Sequence, residues 1–236
     1  MQSSIQTIDI PHLLLAFIPV VMVLMLMWRW GVECKSSLYS LLRMLLQLSV
    51  IGYFLVYLFE AQSHWPVMAI LLIMLLASSW IALRTIETLR KSLFVKSFIA
   101  IAVGGISVLL ITTKWVIVLE PWYFPQYMIP LAGMTFANSM TSVSLAAERL
   151  NAEVQRGMSY ENARNIAFGA ALIPIVNGLF AVGLVSLPGM MTGQILSGVS
   201  PFIAARYQIM VMCMLFGSTG ISTGLFLWLV KKEFTQ

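Results

Sequence analysis

Uncharged polar side chains inside long apolar stretches are the residues of this 236-residue chain that could do chemistry. Four of them fall on one helical face at about 100° per residue, and these are Thr135, Asn138, Thr141 and Ser142. Gln47 and Asn177 lie in two other apolar stretches. Because a buried amide is costly unless it is paired, the pattern predicts either hydrogen bonds between helices or contacts along a substrate path. It leaves both alternatives open.

Sulfur is the second chemistry that the composition offers. The chain has 16 methionines, and thioethers suit soft metal ions such as Cu(I). Most are predicted to be adaptable apolar packing, and those beside polar or glycine-rich segments are Met134, Met140, Met190 and Met191. Cys34 and Cys213 lie in a predicted turn and inside an apolar stretch, which fits neither a disulfide framework nor a zinc site. We therefore predict two unpaired thiols and leave the metal unknown.

The sequence lacks the motifs of several enzyme classes. It contains no G-x-x-x-x-G-K-[ST] phosphate loop, no H-E-x-x-H and no G-x-S-x-G. Its two histidines, His12 and His64, both lie near the ends of apolar stretches, and the last stretch has no lysine that could form a retinal Schiff base. We therefore predict no catalytic residue, no enzymatic activity and no cofactor in this chain.

The elements that must position these residues are apolar helices. Hydrophobic residues make up 60% of the chain and charged residues 10%, whereas a soluble domain carries about 25% charged residues. A spanning helix needs roughly 20 apolar residues. Seven stretches qualify: His12–Trp28, Ser37–Phe59, Trp65–Leu83, Ser97–Val118, Tyr127–Ala147, Ile166–Leu187 and Phe202–Val230. Because backbone groups in lipid must be satisfied internally, we predict an all-α integral membrane protein, a single permease-like domain over 1–236.

The positions of the cations predict the orientation. Lys and Arg are retained on the cytoplasmic side of a membrane. Eleven of the 14 lie in the first, third and fifth connections and at the C-terminus: Arg29, Lys35, Arg84, Arg90, Lys91, Lys96, Arg149, Arg156, Arg164, Lys231 and Lys232. We therefore predict an outside N-terminus, a cytoplasmic C-terminus and no nucleic-acid partner. Asp9 without a nearby cation predicts a retained first span rather than a signal peptide.

One connection, 148–164, carries mixed charges around Gly157. Its charged residues are Glu148, Arg149, Glu153, Arg156, Glu161 and Arg164. Ser159 is placed to cap a short helix that begins at Tyr160. A helix–glycine–helix element of this kind predicts either a docking site for a cytoplasmic partner or a solvated hairpin.

Helix breakers gather towards the C-terminal half of the chain. Pro174, Gly178 and Gly183 interrupt the sixth stretch, and later breakers are Pro188, Gly189, Gly193, Gly198 and Pro201. The region is therefore not predicted to be one straight helix. The spacings Gly189-xxx-Gly193 and Gly220-xxx-Gly224 allow helix backbones to approach closely, and tight packing within one subunit is favoured over a subunit interface.

Several short motifs are the most specific signal. The densest is Gly183-Leu-Val-Ser-Leu-Pro-Gly-Met-Met-Thr-Gly193, and the others are Gly198, Pro201, Tyr207-Gln208-Ile209, Arg43-xxx-Gln47-Leu48 with Gly52, Gly133-Met134 with Asn138-Ser139-Met140, and Ala171-Leu172-xx-Pro174. In order and spacing these residues resemble the FetB-type permeases of ABC transporters, a family of bacterial iron exporters related to plant proteins of aluminium tolerance.

The resemblance implies a homodimeric permease in the bacterial inner (plasma) membrane that exports iron or another metal-related solute. Two copies of a separate cytoplasmic ATPase subunit would hydrolyse ATP, in keeping with the missing phosphate loop. Segment 148–164 would be the ATPase coupling element, with Gly157 as the family's glycine, and its movement would reorient the polar face around Asn138. The family's structural motif would be Pro188, Gly189 and Gly193.

Two alternatives belong to other classes. One is a secondary transporter or channel that works without an ATPase, and the other is a membrane protein that docks a cytoplasmic enzyme. Intramembrane carboxylates usually carry ion coupling, and every acid of this chain lies at a span end or in a connection. Asn177 also stands where the resembling family commonly has Asp, and a neutral amide does not attract a cation as a carboxylate does.

Overall fold

The computed structural model describes residues 8–59 and 63–234, and this part of the chain is helical. The α-helices are α1 Ile10–Leu15, α2 Ile18–Arg29, α3 Lys35–Phe59, α4 His64–Ala82, α5 Arg90–Leu110, α6 Pro125–Gln155, α7 Tyr160–Ala181, α8 Gly189–Leu196, α9 Pro201–Leu229 and α10 Lys231–Phe234. A 3₁₀ turn, Glu87–Leu89, precedes α5, and a π-helical segment, Ile111–Val116, follows it. The all-helical fold is confirmed.

Six helical segments are long and apolar enough to cross a membrane. They are Ile10–Arg29, Lys35–Phe59, His64–Ala82, Glu87–Val116, Tyr160–Ala181 and Pro201–Leu229. The predicted span Tyr127–Ala147 lies inside α6, which is long enough but less apolar because it carries the hydroxyl and amide side chains of the predicted polar face. The described residues thus give six apolar spans and a seventh long, more polar helix.

The chain divides into two compact units between residues 61 and 62. In the first unit, α1 and α2 are separated at Ala16 and Phe17, just before Pro19. The Ser37 hydroxyl at the start of α3 reaches the sulfur of Met27 in α2 at 3.8 Å, so α2 and α3 form a hairpin. The prediction of a single domain over 1–236 stays a prediction.

In the second unit, α6 lies at the centre and packs against α4, α5, α7 and α9. Two adjacent glycines of α5 lie close to neighbouring helices. A Cβ added to Gly104 would lie 2.7 Å from the backbone nitrogen of Ser222 in α9, and one added to Gly105 would lie 2.8 Å from the ring of Phe136 in α6. Glycine therefore lets α5 approach the α9 backbone and the Phe136 ring.

The predicted small-xxx-small contacts are not where this chain packs most tightly. A Cβ added to Gly189, Gly193 or Gly220 would meet nothing within 4 Å, and one added to Gly224 would lie 3.7 Å from Phe168. The expectation of close helix packing within one subunit is therefore wrong for Gly189, Gly193 and Gly220, whereas Gly224 is in van der Waals contact with α7. The small-xxx-small pattern predicts which glycines can form a close contact. Whether such a contact forms depends on the helix that packs against them.

The predicted break after the sixth stretch is confirmed. Helix α7 ends at Ala181, and Gly183 then adopts a φ of +85°, a conformation that favours glycine. Gly198, with a φ of +90°, ends the short α8 in the same way. Pro201 then occupies the first turn of α9, where its missing N–H costs nothing. This turn–helix–turn places α8 against the first half of α9.

Candidate functional site

The predicted polar face of α6 is partly a contact with α9. Thr135 and Ser142 are buried. Thr223 Oγ1 donates to Ser142 Oγ at 2.9 Å, and Ser222 Oγ donates to Ser139 Oγ at 3.1 Å. Hydrogen bonds of this kind between membrane helices stabilise packing by about 0.6 to 2 kcal/mol each. Ser142 therefore makes the interhelical contact that was one of the two alternatives, and substrate contact by it stays a prediction.

The other two polar residues of α6 that were predicted for this face, Asn138 and Thr141, bond within their own helix. Asn138 is half-buried, and its Nδ2 donates to the Met134 carbonyl of its own helix at 2.9 Å. Thr141 is exposed and donates to the carbonyl of Ala137 at 3.0 Å. The four predicted residues span about 120° of one unbroken helix, so they share a face as predicted. Only part of that face is buried, and its role as a substrate path stays a prediction.

The other predicted path residues are spread over the chain. Gln47 is exposed on α3 of the first unit, and Asn177 is exposed on α7 of the second. Met140 on α6 and Met190 on α8 are half-buried. Within the second unit, Met191 is the path residue that lines a well-formed cavity.

This cavity, of about 330 Å³, lies between the end of α7, α8 and the first half of α9. Its lining is Leu179, Val182, Gly183, Met191, Ala205, Gln208, Ile209, Met212 and Cys213. Gly183 and Met191 come from the two ends of the glycine- and proline-rich motif, so the turn–helix–turn described above forms one wall. The volume lies in the range of small-molecule sites, about 300–1,000 Å³.

Gln208 is the polar group of this cavity. It is 6% exposed, and its Oε1 has no hydrogen-bond partner among the described residues. Rotation of the terminal amide exchanges oxygen and nitrogen, so either can be offered to a bound molecule. An unpaired buried acceptor costs about 1–3 kcal/mol, and buried polar groups without a partner are rare. The site therefore has an unsatisfied polar atom next to an apolar cavity.

Sulfur atoms supply the remaining chemistry. Met191, Met212 and the free thiol Cys213 share the lining with Gln208, and thioethers and thiols favour soft cations. The sequence analysis did not select Met212 or Cys213 for the site. The available signal was the four-residue spacing of Gln208 and Met212, which puts both on one face of α9. The described residues contain no group of three or more His, Cys, Asp or Glu side chains that could hold a metal ion.

The charged connection is not a separate element. Helix α6 continues to Gln155, so the first half of the predicted coupling segment is the last two turns of that helix. Ser159 occupies the N-cap position of α7, but its side chain makes no capping hydrogen bond. The helix that begins at Tyr160 has 22 residues rather than being short. The reversal depends on Gly157, whose φ is +85°.

A buried carboxylate organises this end of α6. Glu153 is 4% exposed, and its Oε1 forms ion pairs with Arg149 at 2.7 Å and with Arg156 at 3.3 Å. The Tyr160 hydroxyl at the start of α7 donates to the carbonyl of Leu227 in α9. The α6–α7 turn is thus held internally by charge and tied to the far end of α9. Glu148 and Arg164 remain exposed beside it.

Comparison with known proteins identifies the family. The model of an uncharacterised protein family, UPF0014, matches residues 10–235. The chain belongs to the UPF0014 family. No solved structure matches this chain.

Relatives in the UPF0014 family come from bacteria and plants. UPF0014 membrane protein slr1647 of Synechocystis is 38% identical over 198 residues, 77% of this chain and 76% of the relative. Probable iron export permease protein FetB of Escherichia coli is 34% identical over 216 residues, 85% and 82% of the two chains. Protein ALUMINUM SENSITIVE 3 of Arabidopsis thaliana is 30% identical over 230 residues, 88% and 81%. The resemblance to FetB-type proteins is confirmed, and this UPF0014 chain is a membrane protein.

Proposed function

We propose that this chain is the permease subunit of an ABC transporter that exports iron or another metal-related solute, powered by a separate ATPase. The observation that carries the proposal is the 34% identity to the E. coli relative named as a probable iron export permease, over 85% of this chain. The proposal includes a homodimer in the bacterial inner membrane, with the charged α6–α7 turn in the cytoplasm. It assigns ATP hydrolysis to the partner and no catalytic residue to this chain.

The cavity beside α8 is the proposed point of cargo contact. Gln208 offers an unsatisfied amide, and Met191 and Met212 offer soft donors. Such donors suit a metal held in a complex or a soft ion better than a bare hard cation, which prefers carboxylate and water oxygens. Asn138, Thr141 and Asn177 have exposed or half-buried polar side chains, and in the proposal they line the route between the cavity and the other end of the bundle.

Coupling to the ATPase is proposed for the α6–α7 turn. Glu148, Arg149, Arg156 and Arg164 give it a charged surface, and Gly157 allows the reversal. Because Glu153 holds the last turns of α6 together and α6 packs against α7, a force on the turn would move both helices. The Tyr160–Leu227 hydrogen bond would pass that movement to α9.

Copurification tests the partner. The tagged chain is expressed in its native host and extracted in mild detergent, and the captured proteins are identified and quantified by mass spectrometry. We expect one ATPase per permease, and weaker capture of the ATPase by Glu148→Lys, which reverses the charge of an exposed side chain beside the turn. Lys91→Glu is the matched control, because Lys91 is an exposed cation at the start of α5, outside the turn.

Two outcomes contradict the proposal in different ways. Recovery of the chain without an ATPase from wild type would favour a transporter or channel that needs none. Capture of an ATPase that no solute stimulates in reconstituted vesicles would favour a docking protein. The cargo is tested in the same vesicles by adding Fe²⁺, free or complexed, and measuring ATP hydrolysis and efflux.

A further inference from the structure

A second cleft, of about 470 Å³, lies at the other end of α9 from the cargo cavity. It opens where the first turns of α7 meet the last turns of α9 and the start of α10. Arg164 and Lys231 line it together with the ring of Trp228. The cleft therefore combines two cations with an aromatic side chain.

No carboxylate of the described residues neutralises the charge of Arg164. Its Nε and Nη2 donate to the neutral side-chain oxygen of Asn165 at 3.2 and 3.0 Å, and no described carboxylate lies within ion-pair distance of it. The nearby Glu233 forms an ion pair with Lys96. Glu161 belongs to the same turn of α7 but does not line the cleft. An anion that entered the cleft would meet a positive surface.

The lining changes from charged to apolar along the helices. Phe168 lies one turn beyond Arg164 on α7, and Gly224 lies one turn before Trp228 on α9. These two residues approach closely, because a Cβ added to Gly224 would lie 3.7 Å from the Phe168 ring. Trp228 is 71% exposed, and tryptophan favours the boundary between headgroups and acyl chains. The charged part of the cleft thus lies at the ends of the helices, and its apolar part lies about one turn further along them.

We propose that this cleft binds the headgroup phosphate of an anionic phospholipid. Arg164 contacts the phosphate, and the first part of an acyl chain lies against Trp228 and Phe168. Basic pockets between membrane helices recognise such headgroups, and a guanidinium suits phosphate oxygens well. The site is separate from the cargo cavity, and its existence does not depend on the ATPase.

Native mass spectrometry of the full chain in mild detergent tests the site. The purified protein is titrated with dioleoyl phosphatidylglycerol, dioleoyl phosphatidylcholine or inorganic phosphate. Each cation beside an anionic lipid contributes a factor of about five in affinity. We therefore expect tight binding of phosphatidylglycerol alone, and about fivefold weaker binding after Arg164→Gln. Arg164→Lys, which keeps the charge, should retain most of the affinity and show that the site itself still folds.

A control variant and competing ligands distinguish a specific lipid site from unspecific attraction or a site for free phosphate. Lys91→Gln removes an exposed cation outside the cleft and should leave phosphatidylglycerol binding unchanged. An equal loss in Lys91→Gln would indicate unspecific attraction and overturn the proposal. Equal binding of phosphatidylcholine would also overturn it, as would displacement of phosphatidylglycerol by millimolar inorganic phosphate, which would make the cleft a site for the free ion.

Discussion

Gln208 is the residue whose replacement should separate stability from transport. Its Oε1 is buried without a partner, and the rest of the side chain lies beside an apolar cavity. An unsatisfied acceptor costs about 1–3 kcal/mol, and leucine has a similar size without that cost. We expect Gln208→Leu to raise the free energy of unfolding by about 1–2 kcal/mol. The melting temperature should rise by about 2–4 °C per kcal/mol, as for domains of this size.

The same substitution should impair transport. If the amide contacts the cargo, its loss removes a hydrogen bond worth about 1.4 kcal/mol, which is roughly tenfold in affinity. Thermal unfolding in detergent measures the first effect, and the cargo concentration that half-stimulates the ATPase measures the second. Asn177→Leu is the control for stability, because that amide is exposed on α7 and its replacement should change unfolding by less than about 0.5 kcal/mol.

The melting temperature and the cargo response test separate parts of this argument. A lower melting temperature for Gln208→Leu would mean that the amide is satisfied in the folded protein, and the argument from an unpaired oxygen would be refuted. A higher melting temperature with unchanged cargo response would keep that argument but remove the cavity from the transport route.

Two other substitutions test the packing described above. Gly104→Ala should destabilise the protein by about 1–3 kcal/mol, because the new Cβ would collide with the backbone of Ser222. Gly169→Ala on α7 is the control, because its Cβ would meet open space and the change should be neutral or stabilising. Thermal unfolding of both variants measures the difference. Glu153→Gln should lower the free energy of unfolding by about 1–2 kcal/mol, because it leaves Arg149 and Arg156 without their counter-charge. A wild-type melting temperature would show that the two ion pairs contribute little to stability.

The helices themselves are predictable from the sequence because length and apolarity decide them locally. The start of α7 at Tyr160 and the break around Gly183 also follow from cap and glycine signals near them in the chain. The predicted helix–glycine–helix arrangement around Gly157 is present, but its first helix is the continuous end of α6 rather than a separate element. A helix ends where its backbone is interrupted, here at Gly157, and not where its side chains change polarity.

The candidate site is less predictable because it depends on which helices face each other. Ser142 and Thr141 are adjacent in the chain, yet one bonds to α9 and the other is exposed. Gly104 lets α5 lie close to α9, although no other glycine stands four residues from it in the sequence. The local pattern identifies residues that can make contacts, and partners that are distant in sequence select among them.

Helix α9 connects the two ends of the proposed mechanism. Gln208 and Leu227 are nineteen residues apart on one uninterrupted helix, so about 28 Å separates the cargo cavity from the carbonyl that Tyr160 holds. Between them, Ser222 and Thr223 fasten α9 to α6. A movement of the α6–α7 turn should therefore reach the cavity as a displacement of the whole helix.

Cutting those two hydroxyl bonds tests this transmission. In Ser222→Ala with Thr223→Val, α9 keeps its apolar packing but loses its polar attachment to α6. We expect the ATPase to copurify as before and to hydrolyse ATP, while transport per ATP in vesicles falls several-fold. Ser218→Ala is the control, because the Ser218 hydroxyl donates to the Leu215 carbonyl of its own helix. If the double variant transports with wild-type stoichiometry, α9 is not the connecting element, because its attachment to α6 would then be irrelevant to the cargo step.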